Sequence, residues 1–124
     1  MQVFKTKQFA RFVAQEGIND AILCEAVNRA ITGLIDADLG GGVIKQRIAR
    51  EGQGRSGGYR SIVLFHRNDL AIFAYGFAKN SQQNIDQSEL KAFRKLAEVM
   101  LTFDGNGLQA AINNGTMIEV ICHE

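Results

Sequence analysis

The hydrophobic period of this chain changes twice, and that change limits the fold more than any single motif. Phe9, Phe12 and Val13, then Ile22, Leu23, Ala26, Val27, Ala30 and Ile31, recur at helical spacing. From Val43 to Phe77 the apolar runs are short, rich in branched and aromatic residues, and broken by turn formers, as strands are. Leu90, Phe93, Leu96, Ala97, Met100 and Leu101 then return to helical spacing. The chain holds no proline, so stops and turns fall to glycine and asparagine.

These signals predict a definite order of elements. Gln2–Phe4 reads as a short first strand. Thr6 caps a helix running to about Gln15, and Gly17 stops it. Asn19 caps a second helix over Asp20–Thr32, with Asp20 at the positive end of its dipole and Gly33 at its end. Strands follow at Val43–Ala49, Tyr59–Phe65 and Leu70–Phe77, with Gly52–Gly58 joining the first two and Arg67-Asn68-Asp69 turning between the last two. Asp86 and Glu89 make a capping-box start to the next helix. Gly105–Gly107 breaks the chain before a short helix near Leu108–Asn113, and Met117–Ile121 is a final strand or an ordered extension. The expected class is α+β: two N-terminal helices, a curved antiparallel sheet of three to four strands, and C-terminal helices, with helices on one face of the sheet.

Composition excludes several classes. At 124 residues the chain is expected to form one domain, 1–124, long enough for a real core. No apolar run approaches the ~20 residues of a spanning helix. The start MQVFKTKQFARF lacks the apolar stretch and cleavage site of a secretory signal, so a cytoplasmic protein without membrane contact is expected. Cys24 and Cys122 form no C-x-x-C pair and no ligand cluster with His66 or His123, so no metal and no cofactor are expected. Cys24 reads as a small buried hydrophobe, and Cys122 and His123 as a loose tail.

Charge is gathered rather than spread. The formal net charge is only +1, yet the segment VIKQRIAREGQGRSGGYRSIVLF carries Lys45, Arg47, Arg50, Arg55 and Arg60 against Glu51 alone. A cationic ribbon of this kind suits a polyanion, and RNA or DNA is the obvious one. The Gly52–Gly58 stretch lacks the G-x-x-x-x-G-K-[ST] pattern and precedes no helix, so it is not a nucleotide cradle. Asp36 and Asp38, beside Gly40–Gly42, read as loop-orienting acids.

The ordered set of a two-helix start, a K-x-R strand, an S-G-Y-R strand and a last strand ending in G-F-A-K-N resembles the RelE/HigB group of bacterial toxins from type II toxin–antitoxin modules. Nearly the whole chain takes part, including GLIDADLGGGVIKQRIAR and GRSGGYRSI. The resemblance implies an endoribonuclease that cuts mRNA without metal, usually in the ribosomal A site. It also implies a small antitoxin partner, commonly of helix-turn-helix type. Carried over by position, Lys45 and Arg47 match the family's first cationic strand, Arg60 the arginine of S-G-Y-R, and Lys79 the basic residue past the last strand. Asn80 stands where several relatives have a second basic residue, and Ile85 near where some have a tyrosine. A gyrase-inhibiting toxin of ParE type, or an inactive nucleic-acid-binding relative, is the alternative on the same fold.

RNA cleavage asks for a base at the 2′-oxygen, positive charge around the phosphorus, and a proton for the leaving 5′-oxygen. Arg47 and Arg60 are expected to hold the phosphate, with Lys45 or Lys79 as base. Arg50, Arg55 and Asn80 are candidate RNA contacts, and Tyr59 either stacks on a base or packs in the core. Lys45 and Arg47 share a face. Strict alternation groups Arg60 with Ile62 and Leu64, so it is expected to reach that face only through a twist or bulge near Gly57-Gly58.

Overall fold

The computed structural model describes residues 1–50, 54–67, 69–78 and 85–122, except the side chains of 50 and 54–57. Its elements run β1 (Gln2–Thr6), α1 (Lys7–Glu16), α2 (Asp20–Ile31), β2 (Ala37–Gly40), β3 (Val43–Arg50), β4 (Gly54–His66), β5 (Leu70–Ala78), α3 (Gln87–Met100), α4 (Gly105–Asn113) and β6 (Met117–Glu119).

Helix boundaries follow the caps that the sequence announces. Thr6 accepts a bond from the Phe9 amide, Asn19 from Ile22 and Asp86 from Glu89, with Glu89 returning the bond to the Asp86 amide. Gly17 ends α1 in the left-handed region at φ 70. The glycines near 105 do not break α4. They form its first turn behind Asp104, which accepts from the Gly107 amide.

The sheet is larger than expected and is mixed. Its six strands lie in the order β2-β3-β4-β5-β1-β6. Strand β1 runs parallel to β5, while the other pairings are antiparallel. Two short strands account for much of the difference. Ala37–Gly40 carries an acid and a glycine and so reads as turn, yet it pairs with β3. The β2–β3 turn is Gly41-Gly42, with φ 63 and 84, the doubly positive geometry of a tight hairpin.

Helices cover both faces of the sheet, not one. On the first face Ile44, Ile48, Tyr59, Val63 and Phe73 pack with Phe9 and Val13 of α1 and Leu23, Ala26 and Val27 of α2. On the second face Val43, Ile62, Leu64, Ile72 and Phe77 pack with Ala97 and Met100 of α3 and Leu108 and Ala111 of α4. The unbroken run Ile62-Val63-Leu64 is what a strand buried on both sides requires.

The cysteines also depart from expectation. Cys24 on α2 and Cys122 past β6 are joined as a disulfide spanning 98 residues. The chain is therefore fixed as far as Cys122, while His123 lies outside the described residues. Asp20 accepts a bond from the Ile121 amide at 2.9 Å, and the Val120 amide donates to Val3. No helix among the described residues is long and apolar enough to cross a membrane.

Helix α1 lies so close to β5 that Gly76 is the only residue that fits there. A Cβ at Gly76 sits 2.5 Å from ring carbons of Phe12 and 2.9 Å from Phe9. Gly76→Ala should therefore lose about 1–3 kcal/mol in urea unfolding; an unchanged midpoint contradicts this packing. Cys122→Ser should lose about 2–4 kcal/mol under oxidising conditions, and dithiothreitol should erase the difference from the parent chain.

Candidate functional site

The register of β3 against β4 builds the site. Arg47 lies opposite Arg60, Lys45 opposite Ile62, and Ile48 opposite Tyr59. Opposed residues share a face. Lys45, Arg47 and Arg60 therefore stand together on the α3/α4 side. The Arg47–Arg60 opposition falls inside the regular stretch from Val43 to Ile48, so Arg60 needs no bulge near Gly57-Gly58 to reach it. The expected conflict between Arg60 as core and Arg60 as site residue does not arise. It belongs to both, because this face is also packed.

The burial of the two arginines differs sharply. Arg60 is 6% exposed, with Phe77 of the second core opposite it on β5. The Arg47 side chain is 44% exposed. One carboxylate meets both. Asp36 Oδ1 lies 2.9 Å from Arg47 Nε, and Asp36 Oδ2 lies 3.8 Å from Arg60 Nε. The one hydrogen bond of the Arg60 guanidinium among the described residues is a long one, from Nη1 to the Tyr59 carbonyl at 3.5 Å. Lys45 is half-buried, and its side chain makes no ion pair or hydrogen bond with a described residue.

Asp36 is the functional candidate that sequence reasoning missed. It reads as one of two acids in a turn, and Asp38 does behave so, accepting from the Gly40 amide. Asp36 instead turns toward the sheet. The Gly41-Gly42 turn pairs Gly40 with Val43, and a register shift between Asp38 and Gly40 then brings Ala37 opposite Lys45, which carries Asp36 to the level of Gln46.

Gln46 fixes that arrangement from the opposite face. It is 1% exposed. Its Nε2 donates to the carbonyls of Ala26 and Leu34, and its Oε1 accepts from the Asp36 amide, at 2.9–3.0 Å. Both donors of the amide and its oxygen are thus engaged, and the chain between α2 and β2 is held at Leu34 and Asp36. Arg29 of α2 adds a bond to the Arg47 carbonyl, on the strand edge that β2 leaves open, while its Nε pairs with Glu25.

Tyr59 does not join the arginines. It faces the first core at 3% exposure, its ring edge against Phe12 at 5.4 Å, its hydroxyl donating to Glu16. Alternation from Arg60 dictates this, so Tyr59 packs and is not a base-stacking surface. Arg50 and Arg55 lie on β3 and β4, but their side chains fall outside the described residues, as do Lys79 and Asn80 entirely. Among the described residues no group of His, Cys, Asp and Glu has the geometry to hold a metal ion.

The fold thus presents opposed arginines on β3 and β4 of a six-stranded sheet packed on both faces. The chain belongs to the RelE toxin family: the model of the RelE toxin of the RelE/RelB toxin–antitoxin system matches residues 1–120. Toxins of this family pair with an antitoxin. No individually curated protein matches the chain.

Gln46→Leu keeps the side-chain volume but leaves the Asp36 amide and the Leu34 carbonyl without their partner. It should lose about 1–3 kcal/mol in chemical denaturation. Full retention of stability contradicts the role assigned to this amide.

Proposed function

We propose that this RelE-family toxin is an endoribonuclease that cuts mRNA without a metal ion, acts on the ribosome in the cytoplasm, and is held in check by an antitoxin of helix-turn-helix type. The observation that carries the reading is the direct opposition of Arg47 and Arg60 on one face, with Lys45 two residues away on the same strand. That spacing is about 7 Å along the strand, within reach of adjacent atoms of one nucleotide linkage.

In this scheme the two guanidiniums bind the non-bridging oxygens of the scissile phosphate and balance charge as the phosphorus becomes five-coordinate. Lys45 takes the proton of the 2′-hydroxyl. The 2′-oxygen bonds to phosphorus, the bond to the 5′-oxygen breaks, and the leaving oxygen takes a proton. The products are a 2′,3′-cyclic phosphate and a 5′-hydroxyl end. Lys79, matched to the family by position, is the other candidate base. Arg50, Arg55 and Asn80 extend the RNA track.

A second reading has one observation in its favour. Arg60 is buried and both arginines already face a carboxylate. Positive charge satisfied internally suits a toxin that binds a protein, such as DNA gyrase, and cuts nothing.

Induction of the chain in cells followed by mapping of mRNA 5′ ends tests the first reading. New ends inside coding sequences are expected, carrying 5′-hydroxyls. Arg47→Ala should remove them and restore growth. Arg60→Lys should do the same, because a lysine keeps the charge but loses the planar fork. Growth arrest with intact transcripts and inhibited supercoiling supports the gyrase reading instead.

A further inference from the structure

We propose that Asp36 is a positioning residue for the phosphodiester grip. Its carboxylate holds Arg47 and Arg60 side by side and leaves the outer edges of their forks to the phosphate. The proposal rests on the ribonuclease reading above and deepens it.

Two cations placed directly opposite one another on adjacent strands repel. Their Cβ atoms stand only about 5 Å apart in such a pair. The Arg47–Arg60 opposition therefore needs an anion between the two side chains. Asp36 is that anion. It is 13% exposed, and its two oxygens divide between the two guanidiniums. In both pairs the nitrogen nearest the carboxylate is Nε. The terminal amino edges of both forks remain the parts that a ligand can take. Those of Arg60 make one contact among the described residues, the 3.5 Å approach to the Tyr59 carbonyl.

The charge balance points to an anionic ligand. Two guanidiniums against one carboxylate leave an excess of positive charge, to which Lys45 on the same face adds. Asp36 lowers that excess without cancelling it. It is also held independently of the arginines, since its amide is bound by the buried Gln46. A carboxylate with its backbone fixed from the other face of the sheet is suited to aiming two flexible side chains.

The test uses the full chain, a cleavable RNA oligomer, and a non-cleavable 2′-O-methyl RNA of the same sequence. Asp36→Asn keeps the shape and removes the charge. Its affinity for the non-cleavable RNA should equal or exceed that of the parent, because the site becomes more positive. Its cleavage rate at saturating RNA should fall by about tenfold or more, because the forks lose their alignment. Asp36→Glu should recover part of that loss. Cleavage by Asp36→Asn at the parent rate or faster overturns the proposal, since Asp36 is then a bystander or a restraint. A parallel fall in affinity, rate and thermal midpoint overturns it too, since the role is then structural. If the parent chain cuts no RNA with or without ribosomes, the ribonuclease reading fails by itself. The positioning claim is then decided by the Arg47 and Arg60 Nε–H resonances. They should respond together to the non-cleavable RNA in the parent and lose that joint response in Asp36→Asn. Resonances that ignore the RNA in both proteins overturn the claim.

Discussion

A guanidinium enclosed by protein must be met by negative charge, and the burial of Arg60 shapes everything around the site. Removing an ion of this kind from water costs several kcal/mol unless close partners replace the lost hydration. Arg60 is nine-tenths buried, between β3 and Phe77 of β5, and it stands opposite a second arginine. No neighbouring strand residue supplies an acid. The counter-charge arrives from the connection that follows α2, as Asp36. The position of that connection is therefore part of the electrostatics of the sheet.

Two local devices bring the carboxylate there. The Gly41-Gly42 turn takes φ values that only glycine adopts freely, and β2 returns along β3 with one register shift between Asp38 and Gly40. A Cβ at Gly42 also sits 2.8 Å from Leu101, which shows how closely the end of α3 covers this turn. Arg94 of α3 seals it from outside by donating to the Leu39 carbonyl. From the other face of the sheet, Gln46 clamps the Leu34 carbonyl and the Asp36 amide. An apolar residue at 46 fills the space and abandons both groups, so a polar residue in the middle of a core strand is a requirement of the loop, not of the strand.

How much of this was legible in the sequence depends on whether the signal was local. Helix starts are local, and Thr6, Asn19 and Asp86 mark them in sequence and structure alike. The K-x-R pair sharing one face follows from strand geometry alone. What the residues near a position cannot report is register. Whether Arg60 meets Arg47 depends on how many residues the β3–β4 connection absorbs, and alternation within one strand is silent on that. The same gap hid the second core. Ile62 and Leu64 looked like partners of a misplaced arginine, while their true explanation was a helical layer contributed from residues 87–113. Tyr59 was ambiguous for a related reason: its face became known only once Arg60 had one.

The disulfide is the feature furthest from local signals, since its halves are separated by most of the chain. Such bridges persist in oxidising compartments and are held reduced in the cytosol. A toxin acting on cytoplasmic mRNA would therefore carry Cys24 and Cys122 as neighbouring thiols for much of its life. The tail is also held by the Asp20 carboxylate at the Ile121 amide and by the ladder bond from Val120 to Val3. Along the sheet the bridge and the site are far apart: the tail follows β6 at one edge, and β3 lies one strand from the other, with β4, β5 and β1 between them. Across the layers they meet on α2, which carries Cys24, bonds the Arg47 carbonyl through Arg29 and anchors Gln46 at the Ala26 carbonyl. The bridge thus braces the same helix that supports the basic strand from behind.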